Sequence, residues 1–409
     1  MRDKQHPIIN HWVAFTPFLL FATSAFFSRA LLSISIGLMA VWVVVVLLLG
    51  KRPLASASRD FKWMFSAFVI WFILILFDGL RTSTTSVWLA EVMLKAPLII
   101  VPLYMMCIPK RDCKFENSWL FFVSVIALVA VISGVNYALN YEEINKLLLQ
   151  SKHIPLLGNI HHIYFGVYQA LGIWVAVYFL QGGQYKGVWR VLLIVLLLMI
   201  HILASRTGLL AFYASVGVFI LVKAKETGRI KPLIIGLGLL LTVPLIGYQF
   251  STSFRNKVLN SAEDFEAVQS GKDINYKSLA MRVEAWKTGT GVFKEHPWLG
   301  VGTSRVDEAM QDQYRRNRTV LYPENRIGPH NQFLEMSMAH GIFAAGLLII
   351  VFGLAYLNRV DSPVFLGLLT VFFISFLLES YLERQQGIVA FCLVFYGFYP
   401  LTGHMAKET

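Results

Sequence analysis

Along most of its length the chain repeats one pattern: runs of roughly 16 to 24 mostly apolar residues, long enough to cross a bilayer, each closed by a short polar break. The pattern is interrupted by one long hydrophilic stretch, residues 251–329, and resumes after Pro329-His330-Asn331. A helix needs about 20 residues to cross about 30 Å of hydrocarbon. The runs therefore predict twelve spans, near residues 12–28, 30–50, 61–78, 86–108, 118–139, 160–181, 188–204, 207–223, 233–250, 331–354, 363–379 and 387–403. This pattern predicts an all-α, polytopic integral membrane protein, because a helix satisfies its own backbone polar groups where water cannot. The organisation reads as one functional unit: helices one to nine over residues 1–250, an insert over 251–329, and helices ten to twelve over 330–409.

Inside the insert the pattern changes twice. Residues 251–278 are polar and acid-rich with no apolar period, whereas Leu279, Val283, Trp286, Thr290 and Phe293 recur at three- and four-residue steps and predict an amphipathic helix. Glu295-His296-Pro297 ends that helix and Gly300-Val301-Gly302 makes a turn. Residues 303–329 read as basic and irregular, and no internal repeat is evident.

Composition agrees with a lipid-embedded chain: of 409 residues 56% are hydrophobic and 15% charged. The net charge of +12 invites a nucleic-acid reading, which the placement of the charges removes. With the N-terminus inside, the inner segments carry Arg2, Lys4, Lys51, Arg52, Arg59, Lys62, Lys110, Arg111, Lys114, Lys186, Arg190, Lys223, Lys225, Arg229, Lys231, Arg359 and Lys407. The short outer loops carry only Arg29, Arg81, Lys146, Lys152, Arg206 and Arg384. Basic residues accumulate in cytoplasmic loops, so both termini are expected in the cytoplasm and the insert outside. Cys107, Cys113 and Cys392 offer no outer disulfide framework. The first span lacks a clear small-residue cleavage site and is expected to be retained.

Three outer residues stand out. Arg206, in Ala204-Ser205-Arg206-Thr207-Gly208 between the seventh and eighth spans, reads either as a snorkelling arginine or as a guanidinium that grips a lipid-linked phosphate. Arg282 lies beside the apolar stripe of the insert helix, where a solvated helix face is the plain alternative. His330 opens the tenth span, as a polar cap or as a general base. His161 and His162, at the outer start of the sixth span, are further candidates for the cavity. Glu91 and Lys95 stand four apart on one helix face and are expected to neutralise each other. Glu379, Glu383 and Arg384 cluster at the end of the eleventh span, where they could orient an active-site arginine. Tyr314, Tyr322 and Trp298 with Arg315, Arg316 and Arg318 are candidates for an acceptor-binding surface, and His296 for a structural role.

Taken in order, the blocks ASRTGLL, AMRVEAWKTGTGVFKEHPWLGVG and PHNQFLEMSMAHGIFAAGLL resemble those of the O-antigen ligase and O-antigen polymerase superfamily, membrane glycosyltransferases of the GT-C type. Within that superfamily the chain looks most like an O-antigen ligase, which moves a glycan from undecaprenyl diphosphate to the lipid A-core. The resemblance implies a bacterial inner-membrane enzyme of lipopolysaccharide biosynthesis with a periplasmic active site. It also implies that Arg206 and Arg282 bind the donor diphosphate and that His330 activates the acceptor hydroxyl. No Asp-x-Asp pair occurs in the outer segments, so a metal-independent reaction without cofactor is expected, with inversion at the anomeric carbon. A polymerase acting on the same donor is the alternative, and a transporter of lipid-linked glycan a more distant one. A transporter would show broken helices with charges near the bilayer midplane.

Overall fold

The computed structural model describes residues 11–402 except 52, 56, 83, 111, 112, 151, 271 and 272. Of the residues used to orient the chain, Arg2, Lys4, Arg52, Arg111 and Lys407 lie outside the described residues. Every regular element among the described residues is a helix, with no strand. Its first half runs through α1 (His11–Phe27), α2 (Arg29–Leu48), α3 (Arg59–Phe77), α4 (Thr85–Lys95), α5 (Pro97–Cys107) and α6 (Cys113–Leu139). A short α7 (Tyr141–Leu149) leads to α8 (His162–Gly182), α9 (Lys186–Leu203), α10 (Arg206–Thr227) and α11 (Ile230–Phe250). The insert holds α12 (Thr252–Ser270), α13 (Ser278–Glu295) and α14 (Val306–Arg316), and α15 (Gln332–Asn358), α16 (Pro363–Leu378) and α17 (Gln385–Phe398) complete the bundle.

Nine of the described helical stretches are long and apolar enough to cross a membrane. Three shorter apolar helices, Trp12–Phe27, Pro363–Leu378 and Gln385–Phe398, fall where the first, eleventh and twelfth spans are predicted. The fourth predicted span is two helices, because Pro97 opens α5 and cannot continue the hydrogen-bond ladder of α4.

Two parts of the insert differ from the sequence expectation. Residues 252–270 form a helix, and the stripe it buries includes Ser253, Asn256, Asn260, Asp264 and Ala267. The period is helical but the residues are mainly polar, so hydropathy cannot reveal it. Their burial is supported by hydrogen bonds: the Asn260 side chain donates to Leu148 O at 2.8 Å, and Asp264 accepts from Arg206 and from Leu279 N. Residues 306–316 are helical as well, burying Val306, Met310 and Tyr314.

Lipid tails are as apolar as the side chains they meet, so bundle helices associate through close packing rather than water exclusion. Gly208 of α10 lies against Gly166 of α8, and a Cβ there would come within 2.5 Å of the Gly166 carbonyl carbon. Gly367 of α16 similarly admits the Trp174 ring. The insert has its own small core of Ala285, Val292, Val301, Val306, Met310, Tyr314 and Leu321, to which α15 contributes Met338 and Ala339.

The helix α15 is broken at His340–Gly341, with Gly341 at φ +74°. The break is filled by insert backbone: Val301 N and Gly302 N donate to Met338 O and Ala339 O at 2.8 and 2.9 Å, and Ile342 N donates to Pro297 O at 2.9 Å. A Cβ on Gly341 would lie 2.0 Å from Trp298 O. Asp78 at the end of α3 locks this joint, accepting from Thr303 N at 2.9 Å and meeting His340 Nε2 at 2.8 Å. Arg81 adds donation to Leu299 O and Gly300 O.

Candidate active site

Where α9 meets α10, Ala204 takes the left-handed conformation at φ 46° and turns the chain sharply. Arg206 then becomes the first residue of α10, and the Gly166–Gly208 approach fixes that helix start beside the start of α8. Between them opens a cavity of about 180 Å³, lined among others by His153, His162, Ser205, Arg206, Thr207, Lys257, Ser278, Leu279, Arg282 and Leu378. Three helices begin at its wall: α8 at His162, α10 at Arg206 and α13 at Ser278. Helix N-termini present unbonded N–H groups and a partial positive charge, and each favours an anion by about 0.3–1 kcal/mol. Arg206, Arg282 and Lys257 add three full charges of the same sign.

Each cation is held by a specific partner. Arg206 Nη1 donates to Asp264 Oδ2 at 3.0 Å, and the same oxygen accepts from Leu279 N at 3.0 Å. The buried Asp264 thus ties the first turn of α10 to the first turn of α13, one turn before Arg282. Arg282 Nη1 donates to Leu378 O at 2.7 Å and its Nη2 to Glu379 at 3.1 Å. Burial works against the Arg282 charge, the Glu379 carboxylate supports it, and Arg206 repels it, so its pKa falls below the ordinary arginine value. Lys257 donates to Lys152 O at 2.5 Å, and burial together with Arg206 brings its pKa down to about 8. Asp264 and Glu379 balance two of the three charges, so the Lys257 ammonium, the guanidinium N–H groups outside these pairs and the helix N-termini are what the cavity offers an anion.

His330 has φ 44°, an uncommon conformation for a residue with a Cβ, held in place by the bonds of its neighbour Asn331. Asn331 caps α15 by accepting from Leu334 N at 3.0 Å, and its side-chain amide donates to Leu377 O at 3.0 Å. His330 Nδ1 is thereby placed 2.9 Å from the Glu379 carboxylate. Burial raises the Glu379 pKa, but the His330 hydrogen bond, the charge it carries when protonated and Arg282 together bring it below the usual glutamate value. A carboxylate can only accept, so Nδ1 carries the proton and Nε2 keeps its lone pair.

The structure brings Arg206, Arg282 and His162 to one cavity and sets His330 one carboxylate away from Arg282. His161 instead lines a neighbouring cavity. Sequence reading missed His153, whose ring stacks on His162 with centroids 4.0 Å apart, and Lys257, which lies on the polar helix that hydropathy concealed. Burial lowers the pKa of both His153 and His161.

Of the proposed acceptor surface on the insert, Tyr314 requires correction, whereas Trp298 and Tyr322 are exposed. Tyr314 is fully buried in the insert core and its hydroxyl donates to Ile327 O at 3.0 Å, so no sugar can stack on it. Arg315 pairs with Asp312 and Arg316 with Glu295, Arg318 is exposed, and none of the three lines the cavity. The Glu91–Lys95 pair is also corrected. Lys95 Nζ binds Glu383 Oε2 at 2.5 Å and Leu382 O at 2.6 Å, because the turn after α16 brings a carboxylate and a carbonyl to it from across the bundle.

Two comparisons bear on identity. An uncharacterized protein of Haemophilus influenzae is 27% identical over 321 residues, covering 75% of each chain. The family model described as O-antigen ligase matches residues 191–349, a segment that contains Arg206, Arg282 and His330. Through that segment, the chain is similar to the O-antigen ligase family.

Proposed function

We propose that this protein transfers a glycan from undecaprenyl diphosphate to a sugar hydroxyl of the lipid A-core, at a site on the periplasmic side of the bacterial inner membrane. The observation that carries this reading is the cavity at which three helix N-termini, Arg206, Arg282 and Lys257 converge. Such a cavity suits a diphosphate, whose charge grows as its bond to the anomeric carbon breaks. His330 Nε2 takes the proton from the acceptor hydroxyl as that oxygen forms its bond to the anomeric carbon. Glu379 fixes the tautomer and stabilises the resulting imidazolium. The diphosphate leaves on the face opposite the attacking oxygen, which inverts the anomeric configuration. Positive side chains meet the leaving-group charge without a metal ion.

The broken helix α15 bears on the transporter alternative, since discontinuous helices in transporters frame substrate sites. Here the break is closed by main-chain bonds from residues 297–302, which favours an enzyme.

Purified protein would be mixed with lipid-linked glycan and either lipid A-core or a second donor molecule, in excess chelator, and the products resolved by size. Transfer to the core is the expected result. Growth of the lipid-linked chain instead would make the protein a polymerase, and no transfer to either acceptor would overturn the reading.

A further inference from the structure

A second cavity, about 350 Å³, lies beside the first. Arg29, Asn159, His161, Glu383, Arg384 and Gln385 supply polar lining. The two cavities share the start of α8, with His162 lining one and His161 the other. They are also joined by the turn after α16, which carries Glu379 at the first site and Arg384, five residues on, at the second. His161 feels the charges of Glu379, Arg384 and His330, so this cavity adjoins the His330–Glu379 pair as well as the donor cavity.

Its charge balance is uneven. Glu383 is committed elsewhere, with one oxygen on Lys95 and the other accepting from Gln332 at 3.2 Å. Arg384 has the Tyr164 ring 5.8 Å from its guanidinium and no carboxylate partner, and Arg29 has neither, among the described residues. Both belong to the short outer loops, where basic residues are depleted. Of the other outer arginines, Arg81 is tied to the insert turn and Arg206 to Asp264. A lone snorkelling arginine would explain either residue, but not two on one polar cavity that also holds His161.

We propose that this second cavity binds an anionic sugar of the acceptor, one bearing a phosphate or carboxylate, between Arg29 and Arg384. The acceptor hydroxyl would then be delivered to His330 from the side of His161. The proposal rests on the reading of the first cavity as the donor site. It moves acceptor recognition from the insert arginines to two arginines at the ends of loops in the bundle.

The test uses full-length protein in nanodiscs of phosphatidylcholine, as wild type, R29Q, R384Q, the double variant, and the charge-keeping R29K/R384K. Transfer rates would be measured against acceptor concentration, with intact and chemically dephosphorylated lipid A-core, alongside donor binding. The double glutamine variant should raise the acceptor KM by about 10-fold or more while leaving kcat and donor binding near wild type, with partial recovery in the lysine variant. Dephosphorylated acceptor should reproduce that defect in wild type and add little to it in the double variant. Equal KM for all variants, or loss of donor binding in step with KM, would overturn the proposal. So would an arginine dependence that emerges only when phosphatidylglycerol is added, since a lipid headgroup would then be the occupant. Binding of soluble phosphorylated core oligosaccharide separates this test from the donor reading: retention by wild type and loss in the double variant supports the site even if transfer fails, and equal binding refutes it.

Discussion

His330 and Glu379 are joined by a 2.9 Å contact from Nδ1 to the carboxylate, and the same carboxylate receives Arg282 at 3.1 Å. One buried acid therefore contacts both His330, the proposed base, and Arg282, the proposed donor-binding cation. Glu379→Gln keeps an acceptor oxygen near both groups but removes the charge that stabilises the imidazolium. Transfer should fall by about 10-fold or more, the scale of a lost charge-assisted bond, with a smaller loss in donor binding. Rates and donor affinities on one preparation would decide, and a Glu379→Gln protein that transfers at the wild-type rate would remove Glu379 from this role.

The two arginines should respond unequally to lysine. Arg282 spans two acceptors with separate nitrogens, Leu378 O and Glu379, whereas Arg206 has one carboxylate, Asp264. An ammonium cannot reproduce the planar fork, so Arg282→Lys should lower transfer by about 10-fold or more and Arg206→Lys by less. His330→Ala should leave donor binding nearly intact while transfer drops by about 100-fold or more. Equal losses of binding and rate in all three variants would contradict this division of roles.

Donor binding should weaken as pH rises through about 8, the value to which burial and Arg206 bring Lys257. Below that pH the ammonium contributes its charge to the cavity, and above it the neutral amine does not. A bound diphosphate favours the ammonium, so binding takes up a proton in this range and affinity declines with increasing pH. Lys257→Met should flatten the slope between about pH 7.5 and 9 and match the high-pH affinity of wild type at neutral pH. An unchanged slope in that variant would assign the titration to another group.

Gly341→Ala should prevent normal folding, because the added Cβ would strike Trp298 O and the residue sits at φ +74°. Gly208→Ala should also lower the melting temperature and displace Arg206, since its Cβ would meet the Gly166 backbone. Gly353→Ala is the matched control within α15, with nothing within 4 Å of the new atom, and should be neutral or slightly stabilising. Thermal unfolding in detergent would rank the three, and similar values for all would mean that the bundle relaxes around these contacts.

The apolar runs revealed the bundle because burial in lipid demands them, and α13 was legible as a helix from the spacing of Leu279, Val283, Trp286, Thr290 and Phe293, although the face it buries is Ala280, Ala285, Thr288, Gly289 and Val292, small residues that admit close packing. The α12 helix was hidden because its inward positions include Asn256, Asn260 and Asp264, which hydropathy counts as solvent-facing. Arg206, Arg282 and His330 could be singled out by position and by family resemblance. Their partners could not: nothing in the sequence ties Asp264 to Arg206 or Lys95 to Glu383, and Tyr314 has the same composition signal in a core as on a sugar-binding face. Such pairings depend on how distant helices cross.

Glu379 stands 97 residues after Arg282 and 49 after His330, at the end of the penultimate helix. During synthesis, therefore, Arg206 and its Asp264 partner are in place long before Arg282 and His330 acquire their shared acid. A chain halted before residue 379 would carry Arg206, Lys257 and Arg282 without the carboxylate that holds His330 and Arg282. The geometry around His330 is among the last things the polypeptide acquires, so on the proposed reading premature termination would leave a protein able to attract an anion but not to transfer a group from it.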